Sequence, residues 1–226
     1  MFQHLTSKAP RFRPLFTLTI LMSWLAASLA SITASASDDI GKIILSQPVE
    51  LPDFKLTDHN HKSFTRASFK GKWTFAFFGY THCPDVCPVT LTEMDKIIDV
   101  LPPQPAPNVK YQYVFITVDP ARDTPAVLAD YVHYFNDHII GVTGDETEVR
   151  KLADSVKIRF SRGPGIKNEY TMNHSSAMVL IDPQGRYYAR FRAPHYADRI
   201  YQLFREIRRH YESADDTTSQ TQQRKG

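Results

Sequence analysis

Cys83 and Cys87 are the only cysteines in this 226-residue chain, and they stand four positions apart in Cys83-Pro84-Asp85-Val86-Cys87. That spacing lets two sulfurs converge on one ion or close on each other. Two thiolates suit Cu(I), and with an added imidazole they can also hold Cu(II). A structural zinc site would need a fourth protein ligand. A dithiol that cycles through a disulfide is the second reading. A purely structural disulfide is the third, and so small a loop gains little unfolded-state entropy from closure. A disulfide-dense scaffold and a Cys₄ zinc site are both excluded.

A Cys₂ metal site needs a third ligand, and the chain has nine histidines. His4 lies in the N-terminal segment, and His59 and His61 fall in an expected turn. His82 adjoins Cys83 and would compete with it geometrically. His133 and His138 belong to a helix and its end, and His195 follows the last strand. His174 lies in Tyr170-Thr171-Met172-Asn173-His174-Ser175-Ser176, just before the apolar run Ala177–Ile181. If that run pairs beside Trp73–Tyr80, the loop carrying His174 faces the cysteine loop. A hydrogen-bonded loop histidine is the alternative. A thioredoxin-type reductase normally carries a proline just before the equivalent strand, and here none occurs between Pro164 and Pro183.

The elements that must position these residues follow from periodicity. Trp73–Tyr80 (WTFAFFGY) and Tyr111–Val118 (YQYVFITV) read as strands buried on both faces. The cysteines lie between the first of these and a helix over Val89–Leu101, apolar at 91, 94, 97, 98 and 101. They therefore sit at the carboxyl edge of a sheet and at a helix N-terminus, which favours thiolate over thiol. The prolines at 102, 103, 105 and 107 stop that helix. Thr124-Pro125 opens a second helix as N-cap and first helical residue. Asp145–Ile158 is a third helix, and Ile139–Thr143 a short strand. Ala177–Ile181 and Tyr187–Phe191 form a hairpin across Asp182-Pro183-Gln184-Gly185. A last amphipathic helix carries Ile200, Leu203, Phe204 and Ile207. An earlier hairpin joins Phe54–Thr57 to Ser63–Thr65. The alternation predicts an α/β, thioredoxin-like fold with an N-terminal β-hairpin extension. It occupies residues 51–212, after a linker at 37–50 and before a disordered polar tail at 213–226.

Lys8, Arg11 and Arg13 precede the uncharged stretch Pro14–Ser37, whose most apolar part, Leu15–Ala30, is followed by Ala34-Ser35-Ala36. This is the three-part pattern of an export signal over residues 1–36, either cleaved or kept as a membrane anchor. Either outcome places the rest of the chain in the periplasm or on the extracytoplasmic face of a membrane. The net charge of +3 comes from those three residues: 27 bases minus 3 leaves 24, against 24 acids. The exported part is near neutral, which argues against a nucleic-acid partner. In an oxidising compartment the two thiols need a reductant to stay reduced.

Three blocks carry a resemblance. Phe78-Gly79-Tyr80-Thr81-His82-Cys83-Pro84-Asp85-Val86-Cys87-Pro88 is the first, and Val118-Asp119-Pro120-Ala121-Arg122-Asp123-Thr124-Pro125 the second. Asn173-His174-Ser175 followed by Leu180-Ile181-Asp182-Pro183-Gln184-Gly185 is the third. In order and spacing, over about residues 48–210, they resemble the Sco/SenC family. The resemblance implies a copper metallochaperone for the copper A centre of cytochrome c oxidase. A thiol-disulfide oxidoreductase acting on the cysteines of a copper-enzyme subunit is the other role it implies. It implies copper, Cu(I) or Cu(II), on Cys83, Cys87 and His174, with Cys83 and Cys87 as the redox pair. The partners it implies are a copper-receiving oxidase subunit or another copper enzyme, and a periplasmic thiol reductant. Asn173 stands where the family usually has Asp, a lost charge that could alter copper retention or redox potential. Asp119, Arg122 and Asp123 are explained at least as well by turn formation and helix capping as by partner contact.

Overall fold

Strand β4 (Lys72–Gly79) forms the middle of the molecule because every residue after Lys72 is apolar or small enough to be buried. The computed structural model describes residues 40–101, 110–166 and 169–223. Residues 1–36, expected as an export signal, and the proline-rich stretch at 102–107 lie outside them. Beside β4, β5 (Lys110–Thr117) runs parallel, pairing Phe75 with Tyr113 and Phe77 with Phe115. On the other side, β9 (Met178–Ile181) runs antiparallel, placing Met178 against Phe77. The eight-stranded sheet has the order β1-β10-β9-β4-β5-β6-β2-β3. The remaining strands are β1 (Ile44–Glu50), β2 (Leu56–Asp58), β3 (Ser63–Phe64), β6 (Ile139–Gly144) and β10 (Arg186–Phe191). Parallel β4, β5 and β6, closed by the β9–β10 hairpin, give the thioredoxin-like arrangement. The β2–β3 hairpin joins at the β6 edge.

Among the described residues the helices that cover the sheet are α1 (Val86–Val100), α2 (Pro125–Phe135), α3 (Glu146–Ser155) and α4 (Ala197–Gln223). Leu91, Met94 and Ile97 of α1 and Ile200, Leu203, Phe204 and Ile207 of α4 are buried on the core side. Each such side chain removed from water contributes about 1.5–3 kcal/mol. Trp73, Phe204, Tyr188 and Tyr211 meet edge to face and tie α4 to the sheet. The Thr124 cap is the expected one, and Asp145, expected as the first residue of its helix, is its cap. Thr124 accepts the Val127 N–H ahead of Pro125, and Asp145 accepts the Thr147 N–H. On the other face α2 approaches β6 closely at Gly141, where a Cβ would lie 3.0 Å from the Leu128 Cβ.

Three expectations are corrected. Residues 44–50, expected as linker, form edge strand β1 against β10. Its pattern is broken by Ser46-Gln47-Pro48, and proline is tolerated on an edge strand. The final helix runs on to Gln223, past the tail expected from residue 213. No Gly or Pro interrupts that stretch, and extending an existing helix is easy compared with nucleating one. The segment before β9 is not a loop. It is a separate two-stranded sheet of β7 (Phe160–Ile166) and β8 (Glu169–His174), hidden by Gly163-Pro164-Gly165.

Two buried histidines give the fold a pH dependence. Burial lowers the pKa of His195 and of His59 below the ordinary 6.5. His195 Nε2 faces the Phe191 carbonyl and Nδ1 faces the Thr90 hydroxyl, a pairing that suits the neutral ring. The nearby charges are Glu93 at His195, and Asp58 and His133 at His59. Below about pH 6.5 the unfolded chain binds more protons than the native one, so stability falls as pH falls. Urea midpoints should therefore drop between about pH 7.5 and 5, and His195→Gln should flatten part of that slope. An unchanged slope in the variant would rule out His195 as a source.

Candidate metal centre

The site is built where β4 hands over to α1. Gly79 ends the strand, and residues Tyr80–Asp85 turn back so that the Cys83 N–H meets the Tyr80 carbonyl at 3.2 Å. The helix begins at Val86, three residues earlier than its apolar period predicts, because Cys87 is itself a buried first-turn residue. Its N–H points at the Cys83 sulfur, 3.4 Å away. His174 arrives from the last position of β8. Its Nε2 lies 3.4 Å from the Cys87 sulfur. The two sulfurs and one imidazole nitrogen lie within 4.8 Å of one another, and this is the one such group among the described residues.

Local bonds fix the chemical form of each group. The His174 Nδ1 is 3.1 Å from the Ser175 carbonyl, which can only accept, so Nδ1 carries the hydrogen. Nε2 is then the nitrogen that faces the sulfurs, a donor to the Cys83 thiolate when it carries a proton and a metal ligand when it does not. Phe77 and Tyr80 meet the ring edge on, at 6.1 and 5.9 Å between centroids. The Cys83 thiol is lowered to about 4, chiefly by the Cys87 sulfhydryl, with His174 and the Asp85 and Cys87 backbone N–H groups adding to it against some burial. Cys87 moves the opposite way, because the Cys83 thiolate beside it and full burial both oppose a second charge. The pair is thus one accessible thiolate and one buried thiol.

That asymmetry has a direct readout. In the reduced, metal-free protein, iodoacetamide should modify Cys83 at a rate nearly flat from about pH 6 to 8, whereas an ordinary thiol speeds up by about two orders of magnitude. Cys87 should remain unmodified until the chain is unfolded. A rate that climbs with pH as for a free thiol would show that the helix end does not hold a thiolate.

The other candidates are placed elsewhere. His82 is exposed, turned toward Thr81 and Asp123. His59 and His195 are buried in the core, and His133 packs on His59. Asn173 is exposed and falls on the outward face of β8, opposite in register to Ser161, so it reaches the site only through space. Asp123 does more than cap a helix. Fully buried, it accepts the Thr81 N–H at 3.1 Å and the Thr81 and Thr117 hydroxyls at 2.6 Å, pinning the loop that leads to Cys83. The only sequence signal for this was its place in the second block. Asp119 lies in the same block, but Tyr170, which bonds it at 2.7 Å, lies outside all three.

Comparison with known proteins agrees with this geometry. A family profile described as SCO1/SenC matches residues 45–210. An SCO2-like protein of Rickettsia felis is 38% identical over 141 residues, 62% of this chain and 67% of that one. Among solved structures, ScoI of Arabidopsis thaliana with copper bound superposes with a TM-score of 0.64 at 31% identity, over 71% of this chain and 98% of that one. ScoI of Bradyrhizobium japonicum with copper bound gives 0.61 at 36% identity, over 71% and 98%.

Proposed function

The chain belongs to the SCO1/SenC family, and we propose that it binds copper through Cys83, Cys87 and His174 and delivers it in assembly of the copper A centre of cytochrome c oxidase. The observation that carries this is the convergence of two soft sulfurs and one oriented imidazole lone pair at a partly open edge of the fold. The donor set fits copper: thiolates hold Cu(I), and the imidazole extends the set to Cu(II). The residues have separate tasks. Cys83, half-exposed and already a thiolate, is the first sulfur an incoming or receiving group meets. Cys87 completes the set from the buried side, and His174, like Cys83, is partly exposed. Loading releases the Cys87 thiol proton together with any proton then held on Nε2.

Three ligands, two of them partly exposed, leave room for the thiolates of a recipient subunit to add before the chain's own ligands depart. Joining Cys83 to Cys87 removes two electrons and the Cys87 proton and abolishes binding, so loading is gated by a thiol reductant. The export pattern of residues 1–36 puts these steps on the extracytoplasmic side, with the N-terminal segment as signal or anchor. One observation favours the second reading, thiol-disulfide exchange with a copper-enzyme subunit. A low-pKa accessible Cys83 beside a buried Cys87 is the arrangement of an attacking and a resolving thiol.

Anaerobic copper titration of the reduced protein tests the first reading. One tight equivalent with a thiolate–Cu(II) absorption band is expected, and Cys83→Ser should abolish both. Stoichiometric binding with an intact band in Cys83→Ser would refute the assignment.

A further inference from the structure

The strand that carries His174 is mounted differently from the cysteines. Cys83 and Cys87 sit between the central strand and a long helix, whereas β7 and β8 pair only with each other among the described residues. Backbone bonds fix the hairpin at its base, where the Ser175 N–H meets the Arg159 carbonyl. Further out, side chains hold it. Alternation along β8 turns Tyr170, Met172 and His174 inward and Glu169, Thr171 and Asn173 outward.

Tyr170 is gripped on three sides. The Arg122 guanidinium lies 3.7 Å from one ring face, and that of Arg162 stands 3.6 Å from the same ring centroid. Its hydroxyl donates to Asp119 Oδ1 at 2.7 Å, while Asp119 Oδ2 accepts from Arg122 Nε at 2.5 Å. Asp119 is 3% exposed and the Arg122 side chain 9%, so water competes little for these contacts. Arg122 also lies 5.8 Å from the Tyr80 ring, which meets His174 edge on, and the Tyr80 oxygen interacts with the Met172 backbone. Asp119 and Arg122 lie in the loop that follows β5, and Asp123, one residue on, pins the loop before Cys83.

We propose that Asp119, Arg122 and Tyr170 form a clamp that positions His174, holding β8 against the cysteine loop and setting how readily the imidazole leaves the site. The proposal rests on the reading of His174 as a copper ligand. Of the three ligands, His174 has the most movable mount, and Tyr170 is four residues along the same strand face. A handover that begins with release of the imidazole is then controlled by contacts that touch no ligand.

The test compares Tyr170→Leu and Tyr170→Phe in the full reduced chain. Without metal, hydrogen exchange of the β7–β8 amides and the ring ¹⁵N signals of His174 are recorded. With copper, loss of the ion to a Cu(I) chelator is timed, in the parent and in a His174→Ala background. Tyr170→Leu should speed exchange in the hairpin and copper loss by about tenfold each, leaving β4 and β5 protected. Tyr170→Phe, which keeps the ring between the guanidinium groups, should restore most of the difference. In the His174→Ala background Tyr170→Leu should add less than about twofold, because the coupled partner is gone. Arg162→Ala, on the exposed side of the ring, should act in the same direction if Tyr170→Leu fails to fold. Unchanged hairpin exchange and ring signals, or equal acceleration without His174, would overturn the clamp. A chain that bound no copper would overturn the copper reading instead, while the metal-free measurements still reported the hold on His174.

Discussion

His174→Ala keeps the fold and the reactive thiol and loses tight copper binding. The ring is only partly buried and packs edge on against Phe77 and Tyr80, so its removal leaves a gap open to the surface and not a closed cavity. The stability cost should stay near 1 kcal/mol, the usual range for a site of this kind. The copper cost is far larger. Removing a group that merely orients a ligand commonly weakens a metal site 10–100-fold, so removing the ligand itself should weaken it by more than about a hundredfold. Cys83 changes little by comparison. Its thiolate is held first by the Cys87 sulfhydryl, with His174 a lesser contributor, and Cys87 remains. The two readings of function part here. Delivery requires the imidazole, while thiol exchange requires only the asymmetric thiol pair. Competition against a chelator of known affinity, beside iodoacetamide labelling of the same sample, measures both. Copper affinity within about threefold of the parent would remove His174 from the site and shift the function to thiol exchange.

The parts of the fold that were legible were those whose burial follows a simple period. β4 and β5 announce themselves as near-continuous apolar runs because both faces are covered, and α2 by a Thr-Pro start whose hydroxyl does cap it. The helix that carries Cys87 begins three residues before its apolar period predicts. Its first turn, Val86-Cys87-Pro88, faces the site as much as the core, so the apolar period starts later than the helix does. The β7–β8 hairpin was illegible for a different reason. Gly163, Pro164 and Gly165 break its alternation, and the backbone passes so close at Gly165 that a Cβ would stand 2.1 Å from the Glu169 carbonyl oxygen. The sequence therefore reads as a loop at His174, although the pairing of β9 beside β4 brings that residue toward the cysteines. The side chains that hold it, Asp119, Arg122 and Tyr170, come from segments about fifty residues apart. Local sequence cannot reveal such a contact.

Gly79→Ala should damage the core and the metal centre in a single step. Gly79 is the last residue of β4, and the Cys87 sulfur occupies the space its side chain would need. An added Cβ would lie 2.7 Å from Phe115 Cε2, 2.8 Å from the Cys87 sulfur and 3.1 Å from Phe77 Cε1. Phe77, Phe115 and Cys87 are all fully buried, so none can swing into solvent to make room. Overpacking of this kind costs about 1–3 kcal/mol. For a domain of this size that lowers the melting temperature by on the order of 5 °C. The sulfur must also move by some tenths of an ångström, a displacement larger than metal–ligand distances tolerate. Copper affinity of the folded variant should fall by on the order of tenfold or more. Gly141→Ala supplies the control. Its Cβ would press on Leu128 at 3.0 Å and Val132 at 3.3 Å, between β6 and α2 and away from the thiols. It should lower the urea midpoint while leaving the affinity and the thiolate–Cu(II) band of the folded protein unchanged. If Gly79→Ala also binds copper as the parent does, the Cys87 sulfur is not held by its packing against β4, and the strand does not set the geometry of the site.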